Sequence, residues 1–423
     1  MKSTNLTQKK VLDNKLRLIV HSIPGAQSCT SLVLVGAGSR YETQEINGIA
    51  HFLEHMFFKG AKKYKNTKEV SEAIDTVGGE FNAFTAKEYA GYYVKVAREQ
   101  VETALDVLSD MMLHATFDPA EIDKERGVIL EELNMYQDTP MYQAGWDFER
   151  HLFGDHPMGR DQIGTKQLIN SVTQEQFFDF QEKLYTPDNT VICLVGDFEH
   201  AKGFSLLEKY FQFPNTQKSL EFEPIKLDIT SQSINIIKKH TEQAHLVMGF
   251  PGVSNQDDKK WAAKLLATAL GGNMSSRMFL NIREAKGLCY YIHTDCDTFS
   301  DCGAFTTRAG VDTKRAQDAI SAIETEYQKV FENGITQKEL DKSKSYLLGK
   351  LLLRLEDTEN YAHYLANQEL IQNDLKSTQE IKEIIDKITL DEVNNLAKEI
   401  LDHSKLHLTI IGPYQENSLK FNN

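Results

Sequence analysis

The chain contains two copies of one pattern, and this repetition constrains its fold more than any other feature. The segment VTQEQFFDFQEKLYTPDNTVICLVGDF begins at Val172 and aligns without a gap with ITLDEVNNLAKEILDHSKLHLTIIGPY, which begins at Ile388. Each segment opens with polar residues typical of a helix start and ends in an apolar stretch closed by glycine. Two such matching segments in one chain indicate a repeated structural unit.

Two further pairs of segments extend the repeat. AEIDKERGVILEEL, from Ala120, matches KELDKSKSYLLGKL, from Lys338, and SLVLVGAG, ending at Gly38, matches HLVMGFPG, ending at Gly252. All three pairs occur in the same order and at nearly the same separation along the chain. We therefore predict two domains of one fold, each of a usual domain size.

The boundary between the copies is marked by composition. A polar stretch that contains proline, FPNTQKSLEFEPIK, runs from Phe213 to Lys226 and has neither helical nor strand periodicity. We predict an N-terminal domain over residues 1–213, a linker over 214–230 and a C-terminal domain of the same fold over 231–423.

The elements of each copy are strands followed by long helices. An apolar stripe over residues 101–112 predicts a helix. Both repeated segments open with a capping box, Thr173 with Gln176 and Thr389 with Glu392, which predicts a helix start in each. Short β-branched segments bounded by turns predict strands at residues 16–21, 31–35, 90–96 and 190–195. The fold class is therefore α+β: two homologous α/β sandwich domains, each a mostly antiparallel sheet with helices packed on one face.

Charge and composition exclude several classes of protein. The net charge of -14 argues against a nucleic-acid-binding protein, because phosphate binding requires a basic surface. No apolar segment approaches the length that a membrane-spanning helix requires, and no secretory signal pattern opens the sequence, so we expect no membrane association. The five cysteines are odd in number and form no C-x-x-C pair, which favours reduced thiols. We predict a cytoplasmic protein.

The segment GIAHFLEHMFFKG, residues 48–60, carries the chemistry. His51 and His55 are four residues apart, so on a helix they project from one face about one turn apart. Two imidazoles in this arrangement suit a borderline-soft cation with room for a water molecule. Glu54 lies beside the second histidine, within reach of such a water. The pattern H-x-x-E-H is a zinc-peptidase signature, and we predict a zinc site here.

A third protein ligand is expected, and the second acidic segment supplies candidates. In DPAEIDKERGVILEEL, Glu125 and Glu132 are seven residues apart, so on a helix they share one face. Glu131 points about 100° away from Glu132 and does not share that face. Taken alone, these acids are also typical of a solvated helix face. The equivalent positions in the second copy are Ser343 and Lys350, so only the first copy carries metal-ligand chemistry.

Three segments together resemble the signature stretches of the pitrilysin or insulinase family of zinc metallopeptidases, which includes mitochondrial processing peptidase. They are GIAHFLEHMFFKGA, ERGVILEEL and GGNMSSRMFLNIREAKGLCYY. The resemblance covers essentially the whole chain and is to the half-length, bacterial-type form similar to processing-peptidase subunits. It also implies the doubled α+β domain.

The resemblance implies roles for individual residues in the metal-binding domain. It makes His51, His55 and Glu132 ligands of one zinc ion per catalytic domain. Glu54 becomes the general base, and Glu125 an acid that orients a ligand histidine.

The resemblance also implies residues that contact the substrate. Asn82 and Ala83, in GGEFNAFTAKEY, match an edge strand against which a peptide pairs. Arg283 and Tyr290, in REAKGLCY of the second copy, match a pair that contacts substrate and steadies the developing oxyanion.

The implied function is that of a zinc-dependent endopeptidase that hydrolyses peptides or small unfolded proteins through a metal-activated water. Its substrates are expected to bind in extended conformation. The resemblance implies a homodimer, or a heterodimer with a related chain, in which Arg283 and Tyr290 act in cis or across the dimer. The alternative is a catalytically silent assembly or peptide-binding subunit of the same fold.

Overall fold

The computed structural model describes residues 6–227, 229 and 231–422, which include eleven strands and fourteen α-helices. The strands are β1 (Thr7–Val11), β2 (Arg17–Ser22), β3 (Ser28–Val35), β4 (Glu80–Thr85), β5 (Ala90–Ala97), β6 (Thr190–Gly196), β7 (Ser233–Lys238), β8 (Gln243–Pro251), β9 (Cys289–Thr298), β10 (Gly303–Asp312) and β11 (His407–Gly412).

The helices lie mainly between and after these strands. They are α1 (Ile49–Met56), α2 (Thr67–Asp75), α3 (Val101–His114), α4 (Pro119–Asp138), α5 (Pro140–Phe153), α6 (Lys166–Ser171), α7 (Gln174–Leu184), α8 (His200–Tyr210), α9 (Lys260–Leu270), α10 (Ala316–Asn333), α11 (Gln337–Arg354), α12 (Thr358–Asn367), α13 (Thr378–Lys387) and α14 (Leu390–Ile400). Helices α7 and α14 begin with the two predicted capping boxes, and both reciprocal pairs of hydrogen bonds are present.

The strands form two sheets with matching topology. The first has the order β1-β2-β6-β3-β5-β4 and the second the order β7-β11-β8-β10-β9. Pairing is antiparallel except between β2 and β6 and between β7 and β11, which occupy corresponding places. Apart from the additional edge strand β1, the two orders are the same. The predicted α+β class with two matching, mostly antiparallel sheets is confirmed. Helices cover both faces of each sheet, however, and not one face as predicted.

The two sheets belong to two compact units that are not contiguous in sequence. The first unit comprises Met1–Leu133, Arg160–Glu223 and Leu353–Leu375, and the second comprises Asn134–Gly159, Pro224–Leu352 and Lys376–Asn423. Each unit therefore contains one segment from the other half of the chain. The predicted bounds 1–213, 214–230 and 231–423 refer to the copies along the sequence and stay a prediction, and residues 228 and 230 of the linker lie outside the described residues.

In the first unit, the exchanged segment supplies α12, which packs on the sheet. Its buried residues Ala362 and Leu365 join Leu32 and Leu34 of β3 in one apolar cluster. Helix α8 covers the opposite face, where Gly203 lies against Val20 of β2. Because side chains alternate along a strand, each face of the sheet carries its own apolar side chains, and each face is buried by a helix.

In the second unit, the exchanged segment supplies α5. Ala144, Phe148 and Leu152 of this helix pack with Val247 of β8 and Ile411 of β11. The other face of the same sheet buries a larger apolar core against α9, α10 and α14.

Within the described residues, no helix combines the length and the apolar character that crossing a membrane requires.

Candidate metal centre

Helix α1 carries the two histidines, and its start is held by a buried carboxylate. The residue before it, Gly48, has a φ of +106°, and a Cβ there would lie 2.4 Å from the carbonyl oxygen of Ile163. Glycine is required at this position on both grounds. Because glycine has no side chain to cap the helix, Glu42 accepts hydrogen bonds from the backbone N–H groups of Gly48 and Ala50, each at 2.8 Å. The amide of Asn47 donates to the same carboxylate at 2.8 Å.

Three candidate ligands converge from two helices of the first unit. On α1, the rings of His51 and His55 have centroids 4.8 Å apart. On α4, Glu132 approaches both: its Oε1 lies 3.6 Å from His51 Nε2 and its Oε2 lies 3.4 Å from His55 Nε2. One donor atom from each residue lies within 4.8 Å of the others. Among the described histidines, cysteines and acids, this is the group that could hold a metal ion.

The geometry of this group fits a zinc ion. The 3.4 and 3.6 Å separations exceed the usual length of an N–H···O hydrogen bond. They run to the two different oxygens of Glu132, and they are close to the spacing of about 3.3–3.4 Å between ligand atoms that each lie about 2.0–2.1 Å from one tetrahedral ion. Two imidazole nitrogens and one carboxylate oxygen are a donor set of catalytic zinc sites, which keep a fourth position open. The side chains are 12–22% exposed, so that position is accessible.

The neighbouring side chains set the protonation states of Glu132 and His55. Burial alone raises the pKa of Glu132, but its contacts with His51 and His55 outweigh burial and lower that pKa to about 2. Burial likewise lowers the pKa of His55, but Glu125 and Glu132 outweigh it and raise that pKa to about 9. Glu132 is therefore anionic at neutral pH, as a metal ligand must be. An incoming cation has to displace a proton from His55, so binding is coupled to proton release.

A second carboxylate fixes the orientation of His55. Glu125 Oε1 lies 2.9 Å from His55 Nδ1, and its Oε2 lies 2.5 Å from Lys59 Nζ. Burial raises the pKa of Glu125, but hydrogen bonds from His55 and Lys59 lower it below its ordinary value. Because Glu125 accepts the Nδ1 proton, Nε2, which faces Glu132, is the nitrogen that gives up its proton to an incoming cation and becomes its ligand. Such outer carboxylates commonly set the tautomer of a metal-bound histidine.

Neither Glu54 nor Glu131 belongs to the group of three candidate ligands. Glu54 lies on α1 beside His55, and its Oε2 accepts a hydrogen bond of 2.6 Å from Thr85 Oγ1. Glu131 is exposed, whereas its neighbour Glu132 is half-buried on the side of the histidines.

The remaining residues predicted from the resemblance lie on other elements. Asn82 and Ala83 are on β4. Among the described strands β4 pairs only with β5, so it forms an edge of the first sheet. Asn82 Oδ1 accepts a hydrogen bond of 2.9 Å from the backbone N–H of Ala83. In the second unit, Arg283 lies in a π-helical turn, 4.5 Å from the ring centroid of Phe279. Tyr290 lies near the start of β9 and is 76% exposed. The roles given to these four residues stay predictions.

Three residues of the site were not predicted from the sequence. Lys59 lies just after α1 and four residues from His55, but its contact with Glu125 depends on how α4 packs against this segment. Thr85 and Glu42 gave no comparable signal, because their contacts depend on how a strand and a loop pack against α1.

Removing the carboxylate of Glu42 is expected to weaken both the fold and the metal site. Glu42→Ala leaves buried N–H groups at the start of α1 without an acceptor, and one such group costs about 1–3 kcal/mol. We expect the free energy of unfolding to fall by at least about 2 kcal/mol, and zinc affinity to fall with it. Urea unfolding and chelator competition measure the two quantities. The exposed Glu45→Ala is the control; equal stability of the two variants would contradict the capping role.

Comparison with known proteins extends these observations to the whole chain. Residues 17–165 match the model described as insulinase (peptidase family M16), and residues 171–347 match the model described as peptidase M16 inactive domain. An uncharacterized zinc protease of Bacillus subtilis is 35% identical over 409 residues, covering 96% of this chain and 98% of that protein. One of Streptomyces coelicolor is 34% identical over 415 residues, covering 97% of this chain and 90% of that protein.

Solved structures agree on the fold. A protease from Helicobacter pylori superimposes with a TM-score of 0.89 at 23% identity, covering 96% of this chain and 99% of that one. The M16 inactive domain protein from Pseudomonas fluorescens superimposes with the same TM-score at 19% identity, covering 98% and 99% of the two chains. At these identities the likeness concerns the fold alone. Family models match both halves of the chain, and the two zinc-protease relatives align over nearly its whole length. This protein therefore belongs to the insulinase family of peptidases, M16.

Proposed function

We propose that the chain is a zinc-dependent endopeptidase that hydrolyses peptides or small unfolded proteins, with Glu54 as general base. The observation that carries this proposal is the carboxylate of Glu54, which lies on the same helix as two of three convergent zinc-type donors and is not one of them. A site that only stored or transported the ion would have no use for this acid. All four residues lie within the stretch that matches the insulinase model.

The proposed reaction assigns a task to each side chain. His51, His55 and Glu132 would hold one zinc ion, which lowers the pKa of a coordinated water to about 7 and polarises a carbonyl group. Glu54 accepts the proton of the attacking water and delivers it to the nitrogen of the departing amine, a role for a positioned carboxylate. Glu125 holds His55 in one tautomer throughout, with Lys59 on its other oxygen.

Substrate binding is proposed to use the free edge of β4. Among the described strands β4 pairs only with β5, so its other edge is unpaired, and the backbone N–H of Ala83 on this strand donates to Asn82 Oδ1. An extended peptide that adds a strand at this edge gains backbone hydrogen bonds with little sequence preference. By family resemblance, Arg283 would hold substrate carbonyls and the Tyr290 hydroxyl would stabilise the oxyanion.

We also propose a dimer and a reducing compartment. The resemblance supports a homodimer, or a pair with a related chain, in which Arg283 and Tyr290 act in cis or across the dimer. All five cysteines are free and buried, which suits the cytoplasm.

The alternative function is a catalytically silent assembly or peptide-binding subunit. The match of residues 171–347 to the M16 inactive domain model is the observation in its favour. That stretch, however, excludes the donor group and Glu54, which all lie before residue 133.

The two functions are separated by incubating the protein with an unstructured peptide. We expect zinc-loaded protein to cleave the peptide, with the products seen by mass spectrometry, and metal-stripped protein to leave it intact. Restoring zinc is expected to restore cleavage. A zinc-loaded protein that binds the peptide and does not cut it would contradict the peptidase proposal and favour the silent subunit.

A further inference from the structure

The carboxylate of Glu54 is held by a residue of the edge strand. Thr85 Oγ1 donates to Glu54 Oε2 at 2.6 Å, a distance usual for a hydroxyl bonded to a carboxylate. Within the residues that the structure describes, Thr85 is the only hydrogen-bonding partner of this carboxylate. One oxygen of Glu54 is thus fixed, and Oε1 is left for proton transfer.

Thr85 reaches Glu54 because of the alternation of side chains along β4. Phe81 points toward the α1 side, where its ring contacts Phe58 at a centroid distance of 5.5 Å. Phe84 points to the other side, where its ring lies 4.9 Å from that of His363. Thr85 has the same parity as Phe81 and therefore faces α1. A shift of one residue in the register would turn the hydroxyl away from Glu54.

The register of β4 is fixed at this end of the strand. Thr85 pairs with Ala90 of β5, and the N–H of Ala86 bonds to the carbonyl of Tyr89 at 2.8 Å. The turn that follows is anchored to the segment before α1: Ser39 N–H bonds to Ala86 O at 3.1 Å, and Arg40 N–H bonds to Lys87 O at 2.7 Å. The hydroxyl of Thr85 is therefore placed by paired backbone and not by a mobile loop.

We infer that Thr85 is a positioning residue that orients Glu54 for proton transfer and ties its orientation to the strand that binds substrate. This inference rests on the proposed function. An added peptide strand is aligned by the backbone of β4, and the general base is aligned by a side chain of the same strand. The same strand then sets both the position of the scissile bond and the orientation of the Glu54 carboxylate.

The inference predicts a loss of turnover without a loss of zinc or of substrate affinity. In Thr85→Val the side chain keeps its shape and loses the hydroxyl, so Glu54 can rotate away from its productive orientation. General-base catalysis contributes about 10²- to 10⁴-fold, and we expect kcat to fall by about 10- to 100-fold. KM, zinc content and the thermal midpoint are expected to stay near those of the wild type. Thr85→Ser keeps a donor and is expected to retain kcat within about threefold of the wild type.

The measurement is kcat and KM on an unstructured peptide, with zinc content and melting temperature determined on the same samples. Thr76→Val is the matched control, because Thr76 is exposed and its hydroxyl bonds only to the carbonyl of Glu72. An active wild type with an equally active Thr85→Val overturns the inference alone. Loss of zinc in Thr85→Val, or failure of Thr85→Ser to restore kcat, also overturns it. A zinc-loaded wild type that cleaves nothing overturns the proposed function and this inference with it.

Discussion

Glu54→Gln is expected to retain zinc and to lose peptide hydrolysis. Glutamine has nearly the same shape as glutamate, and its carbonyl oxygen can still accept the hydrogen bond from Thr85. The amide cannot take up the proton of the attacking water, however, so the general-base contribution of about 10²- to 10⁴-fold is lost. We expect kcat to fall by about 10³-fold or more with zinc content unchanged.

The control for this variant is Glu45→Gln, which removes one exposed negative charge of the same unit without touching the site. It is expected to match the wild type in zinc content and in kcat. A Glu54→Gln enzyme that retains turnover within tenfold of the wild type would rule out Glu54 as the general base. Loss of zinc from this variant would show instead that Glu54 is a ligand.

Features set by local periodicity were predictable from the sequence. The apolar stripe over 101–112 corresponds to α3, and the segment over 190–195 corresponds to β6. The capping boxes at Thr173 and Thr389 mark helix starts as predicted. Each of these patterns acts over a few residues, so it can be read without knowledge of the packing.

The exchange of α5 and α12 between the two units was not predictable in the same way. Phe148 and Leu365 belong to amphipathic helices, and such a pattern predicts that a face is buried. It does not specify which sheet buries that face. The repeat favoured contiguous domains, whereas the packing in each unit draws a helix from the other half of the chain.

The contacts of the site are likewise of two kinds, those set by helical spacing and those set by packing. His51 and His55 are neighbours through helical spacing alone, and Glu125 and Glu132 share a face for the same reason. That α4 lies against α1 was suggested by the comparison of the two copies and by family resemblance, and not by helical spacing. Thr85 is far from Glu54 along the chain, and its contact depends on the register of β4.

Glu132→Gln is expected to lower zinc affinity by about a hundredfold or more, because even a partner one step removed from the metal contributes about 10- to 100-fold. The neutral amide loses both the charge and the donor strength of a carboxylate that approaches two histidines at once. Glu131→Gln removes the same charge one position earlier, on an exposed side of α4, and is expected to bind zinc like the wild type. The zinc affinity of Glu125→Gln is expected to lie between those of the other two variants, about 10-fold below that of the wild type.

Zinc titration of the wild type, Glu132→Gln and Glu131→Gln against a competing chelator tests the metal centre most directly. We expect one tightly bound zinc per chain in the wild type and in Glu131→Gln, and greatly weakened binding in Glu132→Gln. Equal zinc affinity in the two variants would mean that Glu132 does not complete the site with His51 and His55, and it would contradict the assignment on which the proposed function depends.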